Sequence, residues 1–311
     1  MKTFQGISQF KSDFATAVTI GTFDGVHIGH RKILERLINN AKQSGLKSTV
    51  LTFFPHPRIV LQKDTEIKLL NTLEEKVDIL KDLGLDYLIV HPFTKDFSRL
   101  SATEFVRDIL VNTLNIKKIV IGYDHRFGRN RNASIHDLIG FGGTLDFEVE
   151  EIPAQEIDDV SISSTKIRNA LLDGEVATAN DYLGYPYMIG GTVKTGKGLG
   201  KQFGFPTANL QVKTAYKLIP KNGVYVVKSI LNSKVYYGMM NIGYNPTVSG
   251  ERKSIEINFF GFSGDLYNAN LEVQFLHRLR DEHKFNSVEE LQQQLKKDKE
   301  KSLRLITKKD A

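Results

Sequence analysis

The chain has 311 residues, 41% of them hydrophobic and 25% charged, with a net charge of +6 and no cysteine. These values describe a globular protein with room for two cores of ordinary size. They exclude disulfides, thiolate catalysis and cysteine-based zinc sites. No apolar run approaches the length of a membrane span, and "MKTFQGISQFKSDF" lacks the apolar core of a signal peptide. A cytoplasmic location with no membrane partner is therefore expected. Charge is uneven along the chain. Residues 1–184 carry 22 Lys and Arg against 25 Asp and Glu, whereas residues 185–311 carry 20 against 11. A basic half suits polyphosphate or nucleic acid, but many of its cations lie in "KKDKEKSLRLITKKDA", which reads as the solvated face of a terminal helix.

In chain order, five apolar, β-branched runs come first: "AVTIGTF" (17–23), "STVLTFF" (48–54), "DYLIVHPF" (86–93), "KIVIGYD" (118–124) and "DFEVEEI" (146–152). Between them lies helical periodicity, as in "HRKILERLINNAKQSG", where Ile33, Leu34, Leu37, Ile38 and Ala41 share a face and Gly45 ends the run. Strands alternating with helices predict βαβ units and a doubly wound parallel sheet, with ligands beyond the C-terminal strand ends. From about residue 187 the rhythm shifts to short strands and turns, with Asn232-Ser233 and Gly264-Asp265 as hairpin-turn candidates. That pattern predicts a small antiparallel barrel, closed by a helix that starts at Ser287 with Glu290 completing a capping box. The expected fold is α/β followed by β, with domains 1–184 and 185–311 and a boundary at Gly184-Tyr185-Pro186.

"GTFDGVHIGH" (21–30) stands where the first strand passes into a helix. Such a junction offers unpaired backbone N–H groups and a positive dipole end to an anion. Gly25 and Gly29 allow close approach of a ligand. His27 and His30, three apart, share one helical face and suit donation to phosphate oxygens during phosphoryl transfer. A bare H-x-x-H also suits a helix cap or half of a metal site. The longer stretch resembles the F-D-G-x-H-x-G-H signature of bacterial FAD synthetases, within the nucleotidylyltransferase superfamily. "SISSTKIR" (161–168) resembles that family's I-S-S-T-x-I-R motif, "TFFPHPR" its T-F-x-P-H-P segment, and "GYDHRFG" its G-x-D-F-R-F-G loop with His125 in place of phenylalanine. The resemblance implies ATP binding by Gly21, Phe23, Asp24, Gly25, His27, His30, Ser163, Ser164, Thr165 and Arg168, with His27, His30 and Arg168 catalytic. It implies FMN binding by Phe54, Pro55, His56, Pro57 and Asp124.

"GKGLGK" in the second half is not a Walker A loop, because Thr195 and Gln202 occupy positions where that motif needs glycine and a hydroxyl. "GGTVKTGKGLGKQFGFPTANL" instead resembles the riboflavin kinase pattern that ends in P-T-A-N. This likeness implies an ATP site with Gly196, Lys201, Thr207 and Asn209, the last two also holding Mg²⁺, an ion that suits oxygen ligands. It aligns Glu256 of "SIEINFF" with the general base and implies riboflavin contacts from Glu256, Arg280 and Phe285. Asn258, where many relatives have histidine, reads as peripheral, and "NIGYNPTV" (241–248) reads as a turn around Asn245-Pro246.

Taken together, the motifs are identified with bifunctional riboflavin kinase and FMN adenylyltransferase enzymes. Riboflavin, FMN and ATP are the implied small-molecule partners, with FAD as product, Mg²⁺ as cofactor, no nucleic acid, and a monomer or weak homo-oligomer. Two other readings stay open on the sequence. One is a nucleotidylyltransferase with a different acceptor; the other is a nucleic-acid-binding protein using the basic second half.

Overall fold

A computed structural model describes residues 1–61, 67–123, 125–153, 162–196, 200, 204–247 and 250–307, the side chains of 245–247 and 250–252 excepted. The described chain divides into two compact units, Met1–Ser164 and Thr165–Ala311. That division falls ahead of the boundary at Gly184, which follows the change in strand pattern.

The first unit is built on a six-stranded sheet of β1 (Lys2–Gln5), β2 (Thr16–Ile20), β3 (Lys47–Phe53), β4 (Tyr87–His91), β5 (Ile116–Gly122) and β6 (Glu148–Ile152). Their order across the sheet is β1-β4-β3-β2-β5-β6, and every pairing is parallel. Every residue of β2 is buried, as expected of a central parallel strand covered on both faces. The four-residue β1, too short to show a period, was not expected. From β2 the chain winds outward through β3 and β4, then returns to place β5 on the other side of β2. The order thus reverses between β2 and β5, and such a reversal opens a crevice beyond the strand ends. "GTFDGVHIGH" begins one residue after β2.

Helix α1 (Ile28–Gln43) follows, with Leu34, Leu37 and Ala41 buried and Gly45 in the left-handed region at φ 66° beyond its end. The short α2 (Pro57–Leu61) opens on Pro57, the helix position that proline's fixed φ suits. Helix α3 (Leu73–Asp82) is started by a full capping box between Thr72 and Glu75, a device that stabilises a helix end by about 1 kcal/mol. Helix α4 (Ala102–Glu104) runs on into a π-helical stretch, Phe105–Val111, and α5 (Ile135–Leu145) precedes β6. Val18, Leu51, Ile89, Leu110, Ile119 and Leu138 belong to one continuous core.

The second unit opens with α6 (Ser164–Asp173, its first residue falling in the first unit) and α7 (Val176–Leu183). It continues with β7 (Met188–Lys194), β8 (Ala208–Gln211), β9 (Gly223–Leu231), β10 (Lys234–Thr247), β11 (Gly250–Phe259) and β12 (Asn270–Arg280), and ends with α8 (Val288–Thr307). The six strands form a closed antiparallel barrel in the order β10-β11-β8-β7-β12-β9. Asn232 and Ser233 both adopt positive φ (49° and 64°) between β9 and β10, the geometry of the tight turn expected there. Gly264-Asp265, by contrast, is no hairpin turn. It lies in the connection from β11 to β12, which do not pair with each other because barrel closure places β8, β7, β9 and β10 between them. The turn expected at Asn245-Pro246 is also corrected. Both residues continue β10 and pair with Arg252 and Glu251 of β11. At α8, Ser287 caps the N–H of Glu290, but the Glu290 carboxylate accepts from Asn286 rather than from the cap residue itself.

Candidate functional site

In the first unit, the segment between β2 and α1 departs from ordinary backbone geometry. Phe23, Gly25 and Val26 take φ of 47°, 88° and 36°. A β-branched residue at positive φ is an outlier, and such strain concentrates at functional sites. Phe23 and Val26 are buried, so packing holds the strained turn in place. A Cβ on Gly21 would crowd the Phe23 ring at 3.0 Å. Asp24 is buried, and its Oδ1 accepts the Leu70 N–H at 2.9 Å.

His27 is the N-cap of α1, and its Nδ1 accepts the His30 N–H at 3.4 Å. The helix-cap reading of the sequence therefore holds for His27. The two imidazoles stack at 3.6 Å with 19° between their planes, and Phe23 meets His30 edge-on at 5.2 Å. Burial pushes the His27 pKa down to about 4 against an upward pull from Asp24. Burial, His27 and Lys76 all push His30 down as well. Both rings are thus neutral at physiological pH, and the buried Nδ1 of His30 has no hydrogen-bond partner among the described residues. A neutral imidazole keeps one N–H, which can be donated to a phosphoryl oxygen as negative charge develops there.

Ser164 brings the second motif to this turn, its Oγ donating to the Asp24 carbonyl at 2.9 Å. Ser163 is exposed. Thr165 and Arg168 belong to the second compact unit, where the guanidinium lies 3.4 Å from the Thr165 hydroxyl. At the end of β3, Phe54 is tied to the end of β4 by backbone bonds to His91 and Phe93. The bond from Phe54 to Pro55 is cis. His56 Nδ1 accepts the Arg58 N–H at 3.2 Å, so His56 starts the short helix that Pro57 opens. Beside them Phe53, Phe93 and Phe97 form an aromatic cluster with ring centroids 5.4–5.7 Å apart. Only the tertiary fold assembles it. Asp124 lies outside the described residues.

A residue that sequence reasoning missed is Lys76, buried on α3, whose Nζ donates to the Thr22 carbonyl at 2.7 Å. It sits in an ordinary amphipathic helix pattern, and no local motif marks it.

In the second unit a cavity of about 300 Å³ gathers Thr207, Glu256, Arg280 and Phe285 with Glu282 and His283. Short β8 pairs with β11 so that Asn209 stands directly opposite Glu256. A Cβ on Gly196 would overlap the Asn209 amide, and one on Gly200 would strike the Phe205 carbonyl and approach Thr207 at 3.3 Å. The glycines of this loop therefore leave room for the two oxygen-bearing side chains. Glu256 is half-buried between the buried Ile255 and Ile257. Arg280 is clamped by Asp298 of α8 with N–O distances of 2.8–3.1 Å, and its guanidinium lies 5.9 Å from the centre of the Phe285 ring. Asn258 is not peripheral. It is buried, lines the cavity and donates to the Pro206 carbonyl at 2.8 Å, so it holds the P-T-A-N segment in place. Lys201 lies outside the described residues.

These features define an α/β nucleotide-binding unit followed by a kinase-type barrel. Residues 9–166 match the family described as FAD synthetase, and residues 183–306 match riboflavin kinase. The chain belongs to the bifunctional riboflavin kinase/FMN adenylyltransferase family. It is 39% identical to the protein of that name from Bacillus subtilis over 94% of this chain and 93% of the relative. It is 35% identical to the one from Escherichia coli K12 over 96% of each. A crystal structure described as a macrolide-efflux protein from Streptococcus pneumoniae superposes with a TM-score of 0.88 at 34% identity, covering 96% of this chain and 97% of that one. Among the described residues, no helix is long and apolar enough to cross a membrane.

Proposed function

We propose that the protein makes FAD in two steps at separate sites. In the barrel, the γ-phosphate of ATP passes to the 5′-hydroxyl of riboflavin, and Glu256 takes the hydroxyl proton. In the α/β unit, the FMN phosphate attacks the α-phosphate of a second ATP and releases pyrophosphate, with charge stabilised by His27 and His30. The observation that carries this reading is the barrel cavity. It places a carboxylate, a hydroxyl and a clamped arginine beside an aromatic ring, the set needed to seat a flavin and activate its alcohol.

Thr207 and Asn209 supply neutral oxygen donors, which fit a hard cation whose remaining ligands are phosphate and water. When bound, Mg²⁺ neutralises phosphate charge. Glu256 faces the Asn209 position and receives the proton, Arg280 and Phe285 orient the ring system, and Asn258 keeps the Thr207 segment in register. Gly21, Phe23, Asp24, Gly25, Ser163 and Ser164 shape the ATP site of the first unit, with Phe54, Pro55, His56 and Pro57 on the FMN side. A monomer or weak homo-oligomer in the cytoplasm completes the proposal.

Incubating the chain with riboflavin, ATP and Mg²⁺ and separating the flavins tests it. FMN should appear first, then FAD with equimolar pyrophosphate. FMN without FAD would point to another acceptor for the α/β unit, and no flavin product at all would overturn the reading.

A further inference from the structure

The buried lysine of α3 has a role beyond helix packing. The Thr22 carbonyl that it holds is the last before the strained turn at Phe23, and Thr52 donates to the same oxygen at 3.3 Å. The lysine is aimed rigidly. The capping box of Thr72 and Glu75 fixes the start of α3, and Asp24 fixes Leu70 just before it. Its charged neighbours across the turn are Asp24, which favours the ammonium form, and His30, whose pKa the ammonium depresses. Glu75 precedes it on its own helix, with one carboxylate oxygen accepting the Thr72 N–H. Burying an ammonium group costs several kcal/mol, whereas a neutral donor would tether a carbonyl without that cost. With both imidazoles neutral, positive charge at this turn is carried by the buried lysine and by Arg31, whose Nε donates to the Val26 carbonyl at 3.3 Å.

Resting on the adenylyl-transfer reading of this site, we propose that Lys76 is a positioning residue of that reaction. Its ammonium fixes the histidine-bearing turn through the Thr22 carbonyl and provides the positive charge behind the His27–His30 pair when a triphosphate approaches. Burial lowers its pKa to about 8. The charge is therefore present below that pH and lost above it.

The test uses the full chain and measures FAD formation from supplied FMN and ATP, with FMN formation from riboflavin as an internal control. Lys76→Gln keeps a hydrogen-bond donor and removes the charge. It should lower kcat/KM for FAD formation roughly 30-fold or more, toward the loss of a transition-state donor, and leave the kinase reaction unchanged. Lys76→Arg, which keeps its charge, should recover much of the activity. In the native protein kcat/KM should fall above pH 8, and Lys76→Arg should move that limb upward. Near-native activity of a folded Lys76→Gln, or a native profile flat to pH 9.5, would overturn the proposal. If Lys76→Gln does not fold, the native and Lys76→Arg profiles decide alone. A native chain that makes no FAD would instead refute the underlying assignment.

Discussion

His27 and His30 combine an observed structural part with the chemistry proposed for them. The first caps α1 and stacks on the second, and both are neutral because they are buried. His30→Ala should cut FAD formation at least about a hundredfold, the scale of losing one transition-state donor, while riboflavin phosphorylation persists. Equal loss of both activities in a folded protein would refute the assignment. The depressed His27 pKa also has a consequence for stability. An unfolded histidine takes up a proton near 6.5, but the folded one does so only near 4. Stability is therefore complete above pH 6.5 and falls as pH drops toward 4, by up to about 3 kcal/mol from this residue. His27→Asn retains a good cap and should lessen that dependence in urea melts at pH 7, 5.5 and 4.5, with His30 supplying the part that stays. In the barrel, Glu256→Gln keeps the shape of the side chain but removes its basicity. FMN production should drop about 10²–10⁴-fold, with riboflavin binding and adenylylation of FMN intact.

Among the elements, α8 is unusual in burying polar groups. Its buried residues are Asp298 and Ser302, and Asp298 accepts from both Arg280 and Gln294. The run "KKDKEKSLRLITKKDA" therefore does more than face solvent. Its aspartate clamps an arginine of the cavity wall, and Leu305 and Ile306 pack on Val224, Val226, Leu276 and Leu279 of the barrel. Removing one member of a buried ion pair strands the other. Asp298→Ala should cost about 3 kcal/mol in a urea melt and weaken riboflavin binding, read from quenching of flavin fluorescence. Unchanged riboflavin affinity would mean that Arg280 holds its place without the helix.

For the whole molecule, the sequence pattern and the contacts divide the chain at different points. Helices α6 and α7 span the junction of the two family matches, yet they bond to residues in and beside the barrel strands. Lys221 N–H reaches the Leu171 carbonyl, Asn180 Nδ2 reaches the Phe275 carbonyl, and the Asn180 side-chain oxygen accepts from Tyr187. Fragment 165–311 should therefore fold, phosphorylate riboflavin and melt several degrees above fragment 185–311, whose barrel loses those partners. Equal melting temperatures would show that the two helices add nothing to the kinase unit.

The sequence by itself determined the alternation of buried strands and amphipathic helices, the change to an antiparallel pattern near residue 187, and the hairpin turn at Asn232-Ser233. Each depends on side-chain period or local φ preference, which a short stretch carries alone. It also marked His27, His30, Thr207, Asn209 and Glu256, because their spacing repeats a family motif. The fate of Gly264-Asp265, the pairing of Asn245-Pro246 within β10, the placement of Asn258 at the cavity and the clamping of Arg280 by Asp298 came only with the tertiary structure. Barrel closure sets strand partners over long separations, and a local turn signal does not encode them. Lys76 is the clearest case. Its neighbours along the chain are those of any surface lysine, and only the packing of α3 beside the end of β2 makes it a buried charge against the Thr22 carbonyl.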